Sequence, residues 1–399
     1  MVLAKRNILF VDDEPVVLHG YKRTLEKYLD HWNIFFATSG KDALAIMAVQ
    51  PIDVIITDLA MPGMNGSELL EKINEQFPSV LRYVLSERMD NASAMQAFRI
   101  AHQYIPKPFE MSTVYESVER TCQLRDTLSN PDLLRIITNI KNLPSLPALY
   151  VTLMRELQSK EPTPAIVGDI ISQDVSMTAK ILQLVNSAFF GLPGTVTSPQ
   201  KAVAILGLNT IKALVLNIHI FSAYQGYSSP AFSIEKLWQH SILVGNLCRV
   251  ITANLHLDTV AQGNAQIAGV LHDSGKLLEL NIPGFFQRVK YVNGTVNFQS
   301  EYQEIKTSHA EIGAYLLGMW GLPQPVVEAV AWHHRPAQMV SKAFNNVTVL
   351  HIANGLHHMD LDQYKNGYEV YMDMPYLESV GVTSRMDGWV ELARRTFNP

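Results

Sequence analysis

The stretch NILFVDD, residues 7–13, decides how the first third of this chain folds. Its apolar run ends at two adjacent carboxylates, Asp12 and Asp13. Three later apolar runs also end in polar side chains: Asp58 after residues 52–57, Ser86 after residues 84–85, and Lys107 after residues 104–106. Such runs are typical of parallel strands that are buried on both faces. Because the carboxyl ends of these strands line one edge of a sheet, we predict that the polar groups converge.

Strand and helix patterns alternate through residues 5–125, which predicts five βα units in a doubly wound α/β fold with a parallel five-stranded sheet. The second strand is predicted at residues 33–37. Helical spacing covers residues 16–29 and 41–49, and further helices are predicted to start near Asn65, Asn91 and Met111. The last of these helices extends to about residue 128 and could continue as a connector.

From residue 132 onward the strand signal disappears and helical periodicity dominates. Predicted helices cover residues 133–140, 148–158, 164–172, 177–185, 199–206 and 210–224, and others continue to residue 358. The sequence therefore predicts three regions. They are an α/β domain at residues 1–125, an all-α domain at residues 126–358, and a mixed C-terminal extension of the helical domain at residues 359–399.

Composition narrows the class of protein. The chain has 399 residues, of which 47% are hydrophobic and 17% charged, as is ordinary for a globular protein of two or three domains. A formal net charge of −5 gives no basic field, so we do not expect direct DNA binding. Two cysteines are too few for a disulfide framework. The first residues lack a signal-peptide pattern. No uninterrupted apolar stretch approaches the ~20 residues that cross a bilayer. We therefore predict a cytoplasmic protein without a membrane span.

The predicted sheet edge carries the groups that phosphoryl transfer needs. Asp12, Asp13 and Asp58 form an all-oxygen set, which suits Mg²⁺ better than a softer metal. Asp58 is also a candidate nucleophile, because a carboxylate can accept a phosphoryl group. Mg²⁺ and Lys107 would neutralise charge on the phosphoryl oxygens, and the Ser86 hydroxyl would donate a hydrogen bond to them. The alternative is that these groups merely cap helices, but a complete set in chain order at strand ends argues against it.

Residues 5–125 resemble a response-regulator receiver domain through the motifs FVDDE at residues 10–14, DLAMPGMNG at 58–66 and KPF at 107–109. The resemblance implies phosphorylation of Asp58 by a histidine kinase or a phosphotransfer protein. It also implies roles for a larger set: Mg²⁺ ligands Asp12, Asp13, Asp58 and the backbone carbonyl of Ala60, the switch hydroxyl Ser86, the switch aromatic Tyr104, and the phosphate-binding Lys107. One residue departs from the family. Glu87 follows Ser86 where the family usually has Gly or Ala, and a bulky acid there could alter the switch.

A second set of polar residues lies in the helical half: His240, His272, Asp273, His309, His333 and His334. The string HDSGK at residues 272–276 falls in a predicted helix, and its adjacent His and Asp can both coordinate one metal ion. The further imidazoles could complete a mononuclear or binuclear site for Fe, Mn or Zn, which would activate water against a phosphodiester. For a lone histidine on a helix, a structural role is the simpler interpretation.

The helical half is similar to two related families. HDSGK, together with HAEIGA at residues 309–314, is similar to the HD metal-dependent phosphohydrolases, including the HD-GYP cyclic-di-GMP phosphodiesterases. The stronger match, over residues 133–340, is to HDOD, the HD-related output domain, through LPSLP at 143–147, DVSMT at 174–178, LVNSA at 184–188 and AVAILGL at 202–208. HDOD domains are helical and are regarded as regulatory or interaction modules without established catalysis.

Two departures separate the chain from an active HD-GYP enzyme. RPA, at residues 335–337, follows His333 and His334 without an acidic residue or a Gly-Tyr-Pro triplet. Asn354 stands where an HD enzyme carries its last metal-binding Asp, and a neutral amide is a weaker ligand. Most of the histidines remain, so metal binding stays open, as does a degenerate pocket that binds a ligand.

The two resemblances together imply a two-component response regulator. Phosphorylation of Asp58 would switch a helical output domain, with the last receiver helix as the coupling route and homodimer formation as one way to achieve it. The output would act by binding an unidentified downstream protein. The alternatives are a metal-dependent cyclic-di-GMP phosphodiesterase and an output that binds a cyclic dinucleotide.

Overall fold

Apolar residues on both faces bury most of β1 (Arg6–Val11), an inner strand of the N-terminal unit. Four further strands complete a parallel sheet: β2 (Trp32–Ala37), β3 (Val54–Asp58), β4 (Leu81–Ser86) and β5 (Gln103–Pro106). Their order across the sheet is β2-β1-β3-β4-β5. This arrangement confirms the predicted parallel five-stranded α/β sheet.

The strand register brings the carboxyl ends together. Val11 pairs with Thr57, so β1 and β3 end side by side, and Asp58 pairs with Leu85. In the described part of this unit, four helices follow strands: α1 (Pro15–Leu25), α2 (Gly40–Val49), α3 (Gly66–Gln76) and α4 (Met111–Thr127). Helix α3 begins where the sequence predicts it, because Asn65 caps it with a capping box completed by Glu68.

The computed structural model describes residues 5–77, 79–86, 101–127, 163–185, 196–224, 232–292, 295–320, 322–339, 343–359, 361 and 371–397, with a few single positions between 132 and 156. They fall into two compact units, one containing residues up to 127 and the other most of the remainder. The helix predicted near Asn91 lies outside the described residues. Only single positions are described within the helices predicted at 133–140 and 148–158.

The second unit is built mainly from helices. In its described part these are α5 (Pro164–Ser172), α6 (Val175–Val185), α7 (Pro199–Ser222), α8 (Ile234–Asn254), α9 (Thr259–Leu271), α10 (Ser274–Glu279), α11 (Phe285–Arg288), α12 (Phe298–Ile305), α13 (His309–Met319), α14 (Gln324–Trp332), α15 (Asn346–His358), α16 (Met374–Val380) and α17 (Met386–Phe397). A short antiparallel pair, β6 (Tyr291–Val292) with β7 (Thr295–Val296), departs from the predicted all-helical pattern. The sequence Asn-Gly at residues 293–294 is a hairpin signal that the helical reading of this region overlooked.

Helix α7 is the one described helix that is long and apolar enough, by length and composition alone, to cross a membrane. Within the fold 56% of its most apolar window is buried, as for a core helix, and it packs against α5 and α9. The chain kinks at Gly207, whose φ of 79° lies in the region that favours glycine. This kink separates the two helical segments that the sequence predicts on either side of it.

Small residues let α8 and α9 pack closely. A Cβ on Gly269 would lie 2.6 Å from the Cα of Gly245, so only glycine permits this approach of the two backbones. Helix α15 packs against both, and α17 from the C-terminal extension packs on α8 and α15. The arrangement gathers the ends of α8, α9 and α15, which carry the histidines described next.

Candidate functional sites

Three strand ends of the first unit bring two carboxylates and an amine together. Asp12 follows β1, Asp58 ends β3 and Lys107 follows β5. The Lys107 Nζ lies 2.8 Å from Asp58 Oδ1 and 3.6 Å from Asp12 Oδ2. Both carboxylates are buried, with 3% and 9% of their residue surfaces exposed. The sheet therefore concentrates opposite charges at the predicted edge.

The carboxylates are held by backbone amides and remain short of positive charge. The N–H of Glu14 donates to Asp12 Oδ1 at 3.0 Å, and the N–H of Ala60 donates to Asp58 Oδ2 at 3.1 Å. Asp12 Oδ2 is buried and has no hydrogen-bond partner among the described residues. Burial, reinforced by the charges of Asp58 and Asp13, raises the pKa of Asp12. A divalent cation beside Asp12 would stabilise its ionised carboxylate, so the residues fit Mg²⁺.

Lys107 keeps its charge in this site. Burial alone would lower the pKa of Lys107, but its hydrogen bond to Asp58 and the nearby carboxylates outweigh burial and raise it. Tyr21, on α1, is a neighbour that the strand-end pattern did not indicate. Burial and the charges of Asp12 and Asp58 raise its pKa to about 12.

The other predicted receiver residues are placed less completely. Asp13 is half-buried next to Asp12, and Ala60 is exposed just after Asp58. Ser86 and Tyr104 lie in β4 and β5, but their side chains are outside the described part of the structure, and Glu87 is entirely outside it. The α3 backbone approaches Asp58 so closely that a Cβ on Gly66 would lie 2.2 Å from the Asp58 carbonyl oxygen.

The HDSGK string does not lie within one helix, and the prediction on this point was wrong. His272 is the C-cap of α9, and Asp273 is the N-cap of α10 with a non-helical φ of −97° and ψ of 8°. The turn lets α10 lie against α13, where a Cβ on Gly275 would be 1.9 Å from the carbonyl oxygen of His309. The glycine of the string therefore brings Asp273 next to His309.

Asp273 is the centre of the second site and is 1% exposed. Its Oδ2 accepts a hydrogen bond from Lys276 Nζ at 2.7 Å, and its Oδ1 lies 3.2 Å from His309 Nε2 and 3.4 Å from His272 Nε2. His240 Nε2 lies 3.4 Å from Asp273 Oδ2. Burial opposes ionisation, but His272, Lys276 and His309 outweigh it and hold the pKa of Asp273 well below its usual value.

Most imidazoles around Asp273 are neutral and oriented. Burial lowers the pKa values of His240, His272, His333 and His334. The Nδ1–H of His272 donates to the Gly269 carbonyl at 2.8 Å, and that of His333 donates to the Val330 carbonyl at 2.7 Å. Each of these two rings therefore keeps its lone pair on Nε2. Neutral, oriented imidazoles are the form that binds metals.

His309 differs because a buried carboxylate orients it. Its Nδ1–H donates to Glu301 Oε2 at 2.7 Å, and its backbone N–H donates to the other oxygen. Burial alone would lower the pKa of His309, but Glu301 outweighs burial and raises it. Glu279 is fully buried near Glu301, and burial together with the Glu301 charge raises the pKa of Glu279 well above its usual value. Neither glutamate was predicted, because no local motif connects α10 and α12.

Two buried atoms of this cluster lack a hydrogen bond. They are His333 Nε2 and Asp273 Oδ1, which have no hydrogen-bond partner in the described part of the chain. In addition, potential ligand atoms of His309, His333 and His334 lie within 4.8 Å of one another, as do those of His240, His272 and Asp273. The structure thus brings all six predicted residues of the helical half together, and their donor set fits a transition-metal ion.

The sequence reasoning missed two further histidines at this site. His357 and His358 lie at the end of α15, and His240 Nδ1 is 3.0 Å from His357 Nδ1. Their signal was present in the sequence. They follow Asn354 by three and four residues, which on a helix places them on the same side, one turn further along.

Family models match both parts of the chain. Residues 8–119 match the response regulator receiver domain, and residues 143–336 match the HDOD domain. Among curated proteins, an uncharacterized protein of Treponema pallidum is 26% identical over 203 residues, which are 50% of this chain and 39% of that protein. The transcriptional regulatory protein YvrH of Bacillus subtilis is 33% identical over 129 residues, which are 31% of this chain and 54% of YvrH. The chain thus spans only part of the length of these relatives.

A solved structure supports the fold of the helical half. A putative phosphohydrolase from Shewanella amazonensis superposes with a TM-score of 0.52 at 21% identity, over 67% of this chain and 95% of that one. At this identity the likeness shows the fold alone.

Proposed function

The chain is a response-regulator receiver domain followed by an HDOD domain, and from this premise we propose that phosphorylation of Asp58 controls the activity of the helical output. The observation that carries the proposal is the buried pair of Asp58 and Asp12 beside the half-buried Lys107, whose ammonium lies 2.8 Å from the Asp58 oxygen. A histidine kinase or a phosphotransfer protein is the proposed donor. The protein is proposed to work in the cytoplasm.

The chemistry of this step follows from the groups at the sheet edge. An oxygen of Asp58 forms a bond to phosphorus while the bond from phosphorus to the donor's histidine nitrogen breaks, and the released imidazole takes up a proton. Asp12, Asp13, Asp58 and the Ala60 carbonyl are proposed to hold Mg²⁺, which supplies charge neutralisation when bound. Lys107 now pairs with Asp58, so its ammonium is in place to follow the charge onto the phosphoryl oxygens.

Labelling with a small phosphodonor tests the acceptor. Incubation with acetyl phosphate and Mg²⁺ should add one phosphoryl group to the intact protein, and peptide mapping should locate it on Asp58. Asp58→Asn should abolish labelling. Asp53→Asn is the matched control: Asp53 precedes the same strand and accepts a hydrogen bond from the N–H of Asn7 at 3.0 Å, far from the acceptor edge. Labelling that persists in Asp58→Asn would refute the assignment.

For the output, the proposal is a protein interaction that phosphorylation switches, with a homodimer as one form of it. HDOD membership supports an interaction role. The experiment compares partner capture and light scattering for the wild type and Asp58→Asn, each with and without beryllofluoride as the phosphoryl mimic. A mimic-dependent change in the wild type alone supports the proposal, whereas an identical response of both proteins contradicts it.

A second candidate function, a metal-dependent cyclic-di-GMP phosphodiesterase or a cyclic-dinucleotide-binding output, is favoured by one observation. Asp273 and five histidines meet in one buried cluster, and two of the rings are oriented by main-chain carbonyls. Such residues could hold Fe, Mn or Zn, which would supply an activated water. Metal analysis and cyclic-di-GMP turnover test it, with His272→Ala plus Asp273→Ala as the inactivating variant and the exposed Asp169→Asn as control. Metal-free, inactive wild type that does not bind the dinucleotide would eliminate this candidate.

A further inference from the structure

Three histidines from two helices meet on the far side of His240 from Asp273. They are His240 on α8 and the adjacent His357 and His358 at the end of α15. One potential ligand atom from each lies within 4.8 Å of the other two. The ring centroids of His240 and His358 are 4.7 Å apart. No carboxylate belongs to this trio, which distinguishes it from the set around Asp273.

The hydrogen-bond pattern fixes which nitrogen of His240 faces this trio. His272 donates through Nδ1 to a carbonyl, so its Nε2 accepts. A hydrogen bond over the 3.1 Å between this atom and His240 Nε2 therefore puts the proton of the neutral His240 ring on Nε2. The lone pair of His240 is consequently on Nδ1, which lies 3.0 Å from His357 Nδ1. The other side of the ring is oriented by Asp273, whose Oδ2 is 3.4 Å from Nε2. A carboxylate behind a histidine is the usual support of a metal ligand.

The environment keeps these imidazoles in the form that binds metals. Burial lowers the pKa of His357 to about 4 and that of His358 to about 3, so both rings are neutral at pH 7. Neutral nitrogen ligands without a carboxylate suit Zn²⁺, Co²⁺, Ni²⁺ or Cu²⁺, and they do not suit Mg²⁺ or Ca²⁺. Three protein ligands leave a fourth position for water or a substrate atom.

We propose that His240 Nδ1, His357 and His358 form a three-imidazole site for a transition-metal ion. Helix α15 supplies two of its ligands, His357 and His358. They lie one turn beyond Asn354, the residue that replaces the carboxylate expected of an HD enzyme. The site takes its orientation from Asp273, but it does not require turnover of any substrate by the helical domain. If the experiment below shows no metal at this site, the proposed control by phosphorylation of Asp58 is therefore unaffected.

The test measures Zn²⁺ binding to the full chain after chelator treatment. We expect His357→Gln plus His358→Gln to bind one equivalent less Zn²⁺ than the wild type at saturation. His19→Gln, an exposed histidine on α1, should bind as the wild type does. Asp273→Asn should retain the equivalent that the double variant loses. An unchanged Zn²⁺ isotherm in the double variant would overturn the proposal.

A measurement on the wild type alone guards against misfolding of the variants. Diethylpyrocarbonate modifies accessible imidazole nitrogens, and mass spectrometry can follow each site. Zn²⁺ should slow the modification of His357 and His358 several-fold while His19 reacts at an unchanged rate. Equal rates at His357 and His358 with and without Zn²⁺ would count against the site.

Discussion

Replacing Gly275 by alanine tests how tightly the helical site is built. The added Cβ would lie 1.9 Å from the His309 carbonyl oxygen and 2.9 Å from the Gly313 nitrogen. Both neighbours are backbone atoms, so no change of rotamer relieves the clash, and α10 must move by about 1.5 Å to restore an ordinary contact. Overpacking of this kind costs up to about 3 kcal/mol.

The same displacement should disturb the chemistry at the site. Asp273 directly precedes α10, and its Oδ1 is 3.2 Å from His309 Nε2, so a shift of this size breaks that contact. We therefore expect Gly275→Ala to lower stability and also to weaken the metal binding proposed for the cluster around Asp273. Gly275→Ser should behave alike, because the obstacle is the Cβ itself.

Urea unfolding followed by circular dichroism measures the effect. With a slope of about 2 kcal/mol per molar urea, a loss of 3 kcal/mol moves the midpoint of the affected unit by about 1.5 M. Gly20→Ala in α1 and Gly388→Ala in α17 are matched controls, because a Cβ at either position meets nothing within 4 Å. These two should be stabilised by about 0.5–1 kcal/mol through helix propensity. A Gly275→Ala midpoint equal to that of the controls would show that the clash argument is wrong.

Two further predictions concern the helical unit. His351 donates through Nδ1 to a main-chain carbonyl at 2.7 Å and accepts from the Asp373 N–H at 2.8 Å, so its neutral form is required; burial lowers its pKa from 6.5. Its contribution to stability is complete well above pH 6.5 and is lost, by at most about 1.4 kcal/mol per pH unit, as the pH falls from 6.5 towards the lower pKa of the folded state. His351→Gln should therefore make the free energy of unfolding less sensitive to pH between 7.5 and 5.5, and equal slopes would contradict this. Tyr376→Phe removes a buried 2.7 Å hydrogen bond to Thr348 and should cost about 1 kcal/mol in urea unfolding, whereas no loss would mean that this bond does not help to hold α16.

The sheet was predictable because its signal is local. Apolar runs of strand length mark β1 and β3, and a polar residue at each end locates the edge where Asp12, Asp58 and Lys107 meet. The capping residue Asn65 likewise marks the start of α3 within one residue. Each of these signals is read within a few positions of the chain, and the parallel order then follows from the alternation of strand and helix.

The helical site could be predicted only in part, because its geometry depends on contacts between distant segments. Five histidines and Asp273 were found as residue types, whereas His357 and His358 were missed, and a helical pattern across HDSGK hid the break at Asp273. Glu279 and Glu301 come from separate helices, and only packing brings them near His309. Hydrophobic periodicity identifies helices, but it does not predict which helices pack against each other.

The donor atoms of the two proposed metal sites favour different ions. The edge at Asp12 and Asp58 offers oxygen ligands beside an ammonium, a donor set that would suit Mg²⁺. The cluster around His240 offers neutral nitrogens, which prefer ions later in the transition series. Treatment with a chelator selective for Zn²⁺ should therefore leave phosphorylation of Asp58 in Mg²⁺ intact. The proposed three-imidazole site can then be tested separately from the proposed phosphorylation of Asp58.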